Sequence, residues 1–211
     1  MTPRAGRVAG ILLAAGAARR FGSQKLVHPI DGVPLVRRAA DGLLGSALDE
    51  VVVVLGSDAP RVGAALAGLP VRTVVAEDWD HGMSASIRAG IAALAPEIDA
   101  ALIALGDQPG VGAAIVDPLV ACWRSGRADR PIVAPDYRGV VRPPVLFDRA
   151  LFAALQQLDG DRGARALLDA RPEQVARVAL DHEEPADVDV PAGANRVATR
   201  RAHGMPAENG G

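Results

Sequence analysis

The sequence predicts an α/β protein, a single domain of three layers with a mostly parallel sheet between two layers of helices. Three observations predict it. Apolar runs of strand length alternate with segments of helical period. The runs are nearly unbroken, as in strands covered on both faces. The 211 residues, 49% hydrophobic, suffice for one full core and do not demand a second.

Each element follows in order. Residues 8–14 (VAGILLA) form a buried first strand, followed by a loop rich in Gly and Arg over 15–25. A helix is expected over 34–44, with Pro34 in a first-turn position and Leu35, Ala39 and Leu43 on one face. Residues 51–55 (VVVVL) are a second strand, 60–66 a second helix and 71–75 a third strand. Ser84 is placed to cap a helix whose apolar stripe is Ile87, Ile91 and Leu94. Residues 100–105 (AALIAL) make a fourth strand that runs straight into Gly106-Asp107-Gln108-Pro109. Ile115, Val116, Leu119, Val120 and Trp123 then recur at helical spacing.

The second half is less regular. Short strands are expected at 132–134 and 145–147, a helix over 149–158, and a turn at 160–163 opening a short helix over 164–169. A late strand follows over 175–180. The domain is expected to span 1–197. Residues 198–211 lack apolar periodicity, end in Asn-Gly-Gly, and read as a disordered tail.

Composition narrows the function. A formal charge of −2 and a pI near 6.1 argue against a nucleic-acid partner. No stretch approaches 18 uncharged apolar residues, so no membrane span is expected. The apolar stretch at 8–15 is too short for a signal peptide with its cleavage site. The single cysteine, Cys122, excludes a disulfide framework or thiolate cluster and reads as a small buried hydrophobe. His28, His81, His182 and His203 show no metal-ligand spacing. These features together fit a cytoplasmic protein.

The informative segment is 12–25, LLAAGAARRFGSQK. A buried strand delivers the chain to Gly16, and the small residues Ala14, Ala15, Ala17 and Ala18 let backbone approach a ligand closely. Arg19, Arg20 and Lys25 follow within ten residues. Backbone N–H groups beside guanidinium and ammonium groups suit a triphosphate. A P-loop is excluded, because Gly22 is followed by Ser23-Gln24-Lys25. The dinucleotide pattern fails because residue 18 is Ala. A solvated surface loop is the simpler reading of such cations, but the position after the first strand of an α/β sheet, where ligand crevices form, favours a site.

Asp107, at the end of the fourth strand, fits either an Asp-x-Pro turn or a carboxylate holding Mg²⁺ against phosphate oxygens. Residues 82–90 (GMSASIRAG) combine a flexible Gly with a helix start, whose free N–H groups attract anions. The plainer reading is a capped amphipathic helix with a solvated Arg88. Trp79 is read as rim packing.

Leu13-Ala14-Ala15-Gly16 with Arg20, Gly22 and Lys25 resembles the signature of the MobA-like nucleotidyltransferases, and within them is most similar to molybdenum cofactor cytidylyltransferases. The resemblance spans roughly residues 8–191. It implies a Rossmann-like fold of the nucleotide-diphospho-sugar transferase type. It also implies that Leu13, Ala14, Ala15 and Gly16 touch the nucleotide through main chain, that Arg20 and Lys25 hold the triphosphate, and that Ser86 contacts the nucleotide. Asp107 would bind the metal, joined by Asp189 of the DVDVP segment, which is similar to the family's D-x-D-T-P. Val190 stands where Thr is usual, and Asp187 is the alternative ligand. Residues 138–147 (RGVVRPPVLF) resemble the family's acceptor-side strand, although Arg142-Pro143 stands where Gly-His is common. Residues 160–168 (GDRGARALL) match a further acceptor-side segment.

These implications combine into Mg²⁺-dependent transfer of CMP from CTP to a phosphorylated acceptor, with Lys25, Arg20 and Asp107 as the catalytic set. The methyl of the Ala14-Ala15-Gly16 segment, where the guanylyl branch has a second Gly, favours CTP over GTP. The resemblance makes molybdopterin the acceptor, and a molybdoenzyme or its chaperone the protein partner. Rival readings are a sugar- or polyol-phosphate acceptor, a dinucleotide-dependent oxidoreductase with Asp58 as its ribose-binding acid, and a nucleotide-sensing module that has lost its chemistry.

Overall fold

A computed structural model describes residues 6–16, 25–126, 130–181 and 185. Strand β1 (Arg7–Ala14) precedes a short 3-10 turn at Lys25–Val27 and a small hairpin, β2 (Pro29–Ile30) with β3 (Val33–Pro34). Then come α1 (Leu35–Leu44), β4 (Glu50–Leu55), α2 (Ala59–Ala65), β5 (Arg72–Val75), α3 (Met83–Ala92), β6 (Ile98–Leu105) and α4 (Ala113–Arg124). The second half adds β7 (Ile132–Tyr137), β8 (Val140–Val141), β9 (Val145–Asp148), α5 (Phe152–Gln156), α6 (Arg165–Ala170) and β10 (Val175–Ala179).

The main sheet runs β5-β4-β1-β6-β9-β7-β10, with β8 paired to β7. β5, β4, β1 and β6 are mutually parallel, and β7 and β10 are parallel to each other. β9 lies antiparallel between β6 and β7. This is a Rossmann-like three-layer α/β/α architecture with a mostly parallel sheet.

The alternation of side chains along each strand builds two cores. Leu12, Val53 and Leu102 face the layer containing Leu35, Leu43, Leu119 and Trp123 of α1 and α4. Ile11, Leu13, Val54 and Ile103 face the layer containing Ile87, Ile91, Leu155 and Leu167 of α3, α5 and α6. Burial on both faces explains why the central strands read as continuous apolar runs.

Several expectations are corrected. Pro34 precedes the first turn of α1, with φ −52° and ψ 139°, outside the helical region. Ser84 does not cap α3; the cap position is Gly82, at φ 103°. Buried Ser84 instead donates its hydroxyl to the Gly160 carbonyl at 2.6 Å, fastening the start of α3 to the 160–163 turn. The helix expected over 149–158 divides into a 3-10 turn (Arg149–Leu151) and the short α5. Cys122 is only partly buried, against the α1/α4 core. The region expected to form a tail, 198–211, lies outside the described residues, and so does the domain limit at 197. Among the described residues, no helix is long and apolar enough to cross a membrane.

Gly90 brings α3 onto the sheet. A Cβ there would lie 2.6 Å from Ile11 Cγ2 and 3.1 Å from Val54 Cγ2. Gly90→Ala gains about 1 kcal/mol of helix propensity and loses roughly 1–3 kcal/mol to overpacking. The expected net result is a lower midpoint in thermal and urea unfolding; a raised midpoint would show that α3 can lift off the sheet without cost.

Candidate active site

Neighbouring parallel strands bring their carboxyl ends together, which is where the chain builds a cavity. β1 and β6 pair in register up to Leu13 and Leu105, and the Gly106 N–H donates to the Leu13 carbonyl at 2.9 Å. On the other flank, Ser57 donates its N–H to the Ala15 carbonyl at 3.2 Å and its hydroxyl to that of Gly16 at 3.3 Å. Gly56 allows this approach, because a Cβ there would stand 2.5 Å from the Ala15 carbonyl oxygen. The exit from β1 is thus held from both sides. A Cβ on Gly16 itself would meet open space.

Beyond this edge lies a cavity of about 590 Å³, within the size range of small-ligand sites. Leu13, Ala15, Gly16, Lys25, Ser86 and Asp107 all line it. Ala14 does not: it is 1% exposed and packs into the α1-side core. That follows from strand alternation, which points Leu13 and Ala15 one way and Ala14 the other. Arg20, Asp187 and Asp189 lie outside the described residues.

Lys25 and Asp107, 82 positions apart, meet as an ion pair at 2.9 Å. Lys25 enters at the 3-10 turn that follows the loop, and Asp107 leaves the end of β6. Their side chains are 12% and 30% exposed, so the pair is shielded yet open to the cavity. Among the described residues lining the cavity, Lys25 is accompanied by three carboxylates, Asp80, Asp107 and Asp161. No three His, Cys, Asp or Glu side chains converge as a metal-binding group among the described residues. A divalent cation at Asp107 would therefore take much of its shell from phosphate oxygens and water, the habit of Mg²⁺.

Sequence reasoning missed Asp80 and Asp161 as lining residues, and it named the 82–90 segment without singling out Met83. The only signal was indirect, the Gly residues at 82 and 160 that let two turns interlock. A Cβ on Gly82 would come 2.5 Å from Asp161 Oδ1. Trp79 also lines this cavity and packs against the α3-side core. Asp58 pairs with Arg61 at 3.2 Å and lines neither this cavity nor the one described next.

A second cavity, of about 620 Å³, adjoins the first. It brings together the two segments with acceptor-side resemblance: Val140–Pro143 and Val145 on one wall, Arg162, Ala164, Arg165 and Leu168 on the other. Leu13, Met83 and Leu105 line both cavities.

The fold and this edge-of-sheet site define a nucleotidyltransferase. Residues 10–177 match the family model described as "MobA-like NTP transferase domain", and the chain belongs to that family. It is 39% identical over 170 residues to a protein named nicotine blue oxidoreductase from Paenarthrobacter nicotinovorans, covering 78% of this chain and 83% of that one. It is 30% identical over 192 residues to the purine catabolism protein PucB of Bacillus subtilis, covering 86% and 91%. A shorter match, 38% over 85 residues, covers 40% of this chain and 42% of a molybdenum cofactor guanylyltransferase from Rhodobacter capsulatus. The solved structure of Rv0371c from Mycobacterium tuberculosis superposes with a TM-score of 0.79 at 30% identity, covering 88% and 94%. A further structure of Rv0371c is a complex with manganese, at 28% identity and a TM-score of 0.76, covering 89% and 95%.

Arg88, expected to be solvated, is pinned. It donates to Asp78 at 2.6 Å and to the Leu158 carbonyl at 2.7 Å, tying the turn before α3 to the segment after α5. The Arg88 hydrogen bond holds the Asp78 carboxyl below its ordinary value of 3.8. A carboxyl lowered in the folded state contributes stability above its unfolded value and loses that contribution as the pH falls through the folded one. The stability gap between wild type and Asp78→Asn should therefore be full at pH 6 and close as the pH drops below 3.8, read by urea unfolding across pH. A gap that persists unchanged at pH 2 would assign it to packing.

Proposed function

We propose that this protein transfers the nucleotidyl group of a nucleoside triphosphate to a phosphorylated acceptor, with CTP as donor and molybdopterin as acceptor. The observation that carries this reading is the meeting of Lys25 and Asp107 on a ligand-sized cavity beyond the carboxyl ends of β1 and β6. The printed name of the Rhodobacter relative supports a molybdenum cofactor role and makes GTP the donor to compare against. The extra methyl of the Ala14-Ala15-Gly16 segment, where the guanylyl branch has a second Gly, supports the smaller pyrimidine.

In this reading the acceptor phosphate oxygen attacks the α-phosphorus in line. A new P–O bond forms, the bond to the β-phosphate breaks, and pyrophosphate leaves with the electron pair. The acceptor oxygen is already anionic, so no strong general base is needed. Catalysis is then positioning and charge neutralisation. Main chain at Leu13, Ala14, Ala15 and Gly16 positions the nucleotide, Ser86 contacts it, and Lys25 with Arg20 offsets charge building on the phosphates. Asp107 and Asp189 would hold a divalent cation, which would neutralise phosphate charge beside the carboxylates of the cavity. The manganese complex of Rv0371c supports divalent metal binding in this family.

A second reading has one observation in its favour, the name of the Paenarthrobacter relative as an oxidoreductase. Fluorescence titration with NADH and NADPH separates the two. Tight nicotinamide binding with no pyrophosphate release from CTP or GTP would replace the transferase.

Lys25→Ala should lower pyrophosphate release by about 100- to 1,000-fold, the usual cost of one preorganised charge. Near-normal turnover would remove Lys25 from the catalytic set. Asp107→Asn carries an opposite signature. With EDTA present it should bind CTP more tightly than wild type, because Lys25 no longer faces that carboxylate, and added Mg²⁺ should raise its affinity little. Calorimetric titration reads both, and unchanged metal-free affinity would show that the ion pair does not compete with phosphate.

A further inference from the structure

The wall between the two cavities is built from few parts. Leu13 and Leu105 belong to it from below, where β1 and β6 end. Met83, the first residue of α3, completes it from above and is 40% exposed. Leu13, by contrast, is 9% exposed and fixed in the sheet.

The 160–163 turn is shaped around Met83. Gly163 has φ +53°, and a Cβ there would lie 2.6 Å from Met83 Sδ and 3.0 Å from its Cγ. The same turn sends successive side chains to opposite sides: Asp161 lines the first cavity and Arg162 the second. Ser84, through its N–H and hydroxyl on the Gly160 carbonyl, keeps turn and helix start in register.

The second cavity has an apolar floor that includes Ile87, Ile103, Val145 and Val175. Among the described residues, Arg142, Arg162, Arg165 and Arg177 line it with Asp169 as the only carboxylate. Such a site suits an anionic ligand with a flat, weakly hydrated body, and suits a sugar or polyol phosphate poorly. If nucleotide fills the first cavity and acceptor the second, the attacking oxygen must cross the Leu13–Met83–Leu105 wall. Met83, with three rotatable bonds and a polarisable thioether, is the adaptable member of that wall.

We propose that Met83 is a specificity-determining residue: its side chain sets how bulky an acceptor can be and still reach the α-phosphorus, and Gly163 is a glycine so that Met83 has room to move. This rests on the assignment of nucleotide and acceptor to the two cavities.

The test uses the full chain with CTP and Mg²⁺ and two surrogate acceptors, 2-naphthyl phosphate and methyl phosphate, read by product mass and by calorimetric binding. Wild type is expected to bind 2-naphthyl phosphate and to prefer it over methyl phosphate. Met83→Trp should weaken 2-naphthyl phosphate binding and use by about tenfold or more, the scale on which pocket shape discriminates. Its loss with 2-naphthyl phosphate should exceed its loss in CTP affinity and in methyl phosphate use by about tenfold, so that the ratio between the acceptors, and not the basal rate, carries the test. Met83→Ala, which cannot clash, should retain 2-naphthyl phosphate binding and narrow the preference between the two acceptors. Equal loss of CTP and 2-naphthyl phosphate binding in Met83→Trp, no change in either, or no binding of 2-naphthyl phosphate to wild type would each overturn the proposal. Absence of CTP and GTP binding to wild type would instead remove the transferase reading on which it stands.

Discussion

An ammonium and a carboxylate 2.9 Å apart organise this molecule's working end. At about 4 Å and an effective dielectric near 20, two unit charges attract by roughly 4 kcal/mol. In the proposed function, a divalent cation would compete with Lys25 for Asp107, and a triphosphate would compete with Asp107 for Lys25, so the two would bind most favourably together.

The sheet makes this possible at little cost. Lys25 and Asp107 belong to loops that follow β1 and β6, and parallel pairing forces both exits to the same edge. The glycines at 56 and 106 then let adjacent loops close on the backbone of residues 13–15, where a side chain would intrude. Small residues are needed there for backbone approach rather than for flexibility.

This parallel half was legible in the sequence because burial on both faces writes itself as unbroken apolar runs, and VVVVL and AALIAL have no other economical reading. The second half was less so. The antiparallel direction of β9 leaves no mark in its four residues, and β2, β3 and β8 at two residues each are shorter than any period. Site residues divided similarly. Gly16 and Asp107 were visible because each follows a strand end, and Lys25 because it closes the basic loop after β1, all with residue types that suit a phosphate site. Asp80, Asp161 and Met83 were not, since their place depends on two turns meeting across 76 positions through Ser84 and Gly160. Ser84 illustrates the limit: its type and position satisfy a helix-cap rule, yet tertiary structure spends its hydroxyl on a distant carbonyl. Arg88 was misread for the same reason, its partners being Asp78 and a carbonyl 70 residues away.

If the two adjoining cavities hold donor and acceptor as proposed, one interlock suffices for both. A transferase must hold donor and acceptor firmly, yet bring one oxygen of the acceptor onto one phosphorus of the donor. Separate pockets provide grip, and the partition between them decides contact. Here that partition is anchored on opposite sides by different means: β1 and β6 from beneath, through hydrogen bonds that define the sheet, and the α3–turn junction from above, through Ser84 on Gly160. The lower anchor is shared with the core and cannot change without loss of the fold. The upper one involves an exposed methionine, a left-handed glycine and a turn whose neighbouring residues Asp161 and Arg162 address different pockets. On the proposed assignment of the two cavities, variation in acceptor would be accommodated at the upper edge, while Lys25 and Asp107 keep their places beyond the ends of β1 and β6.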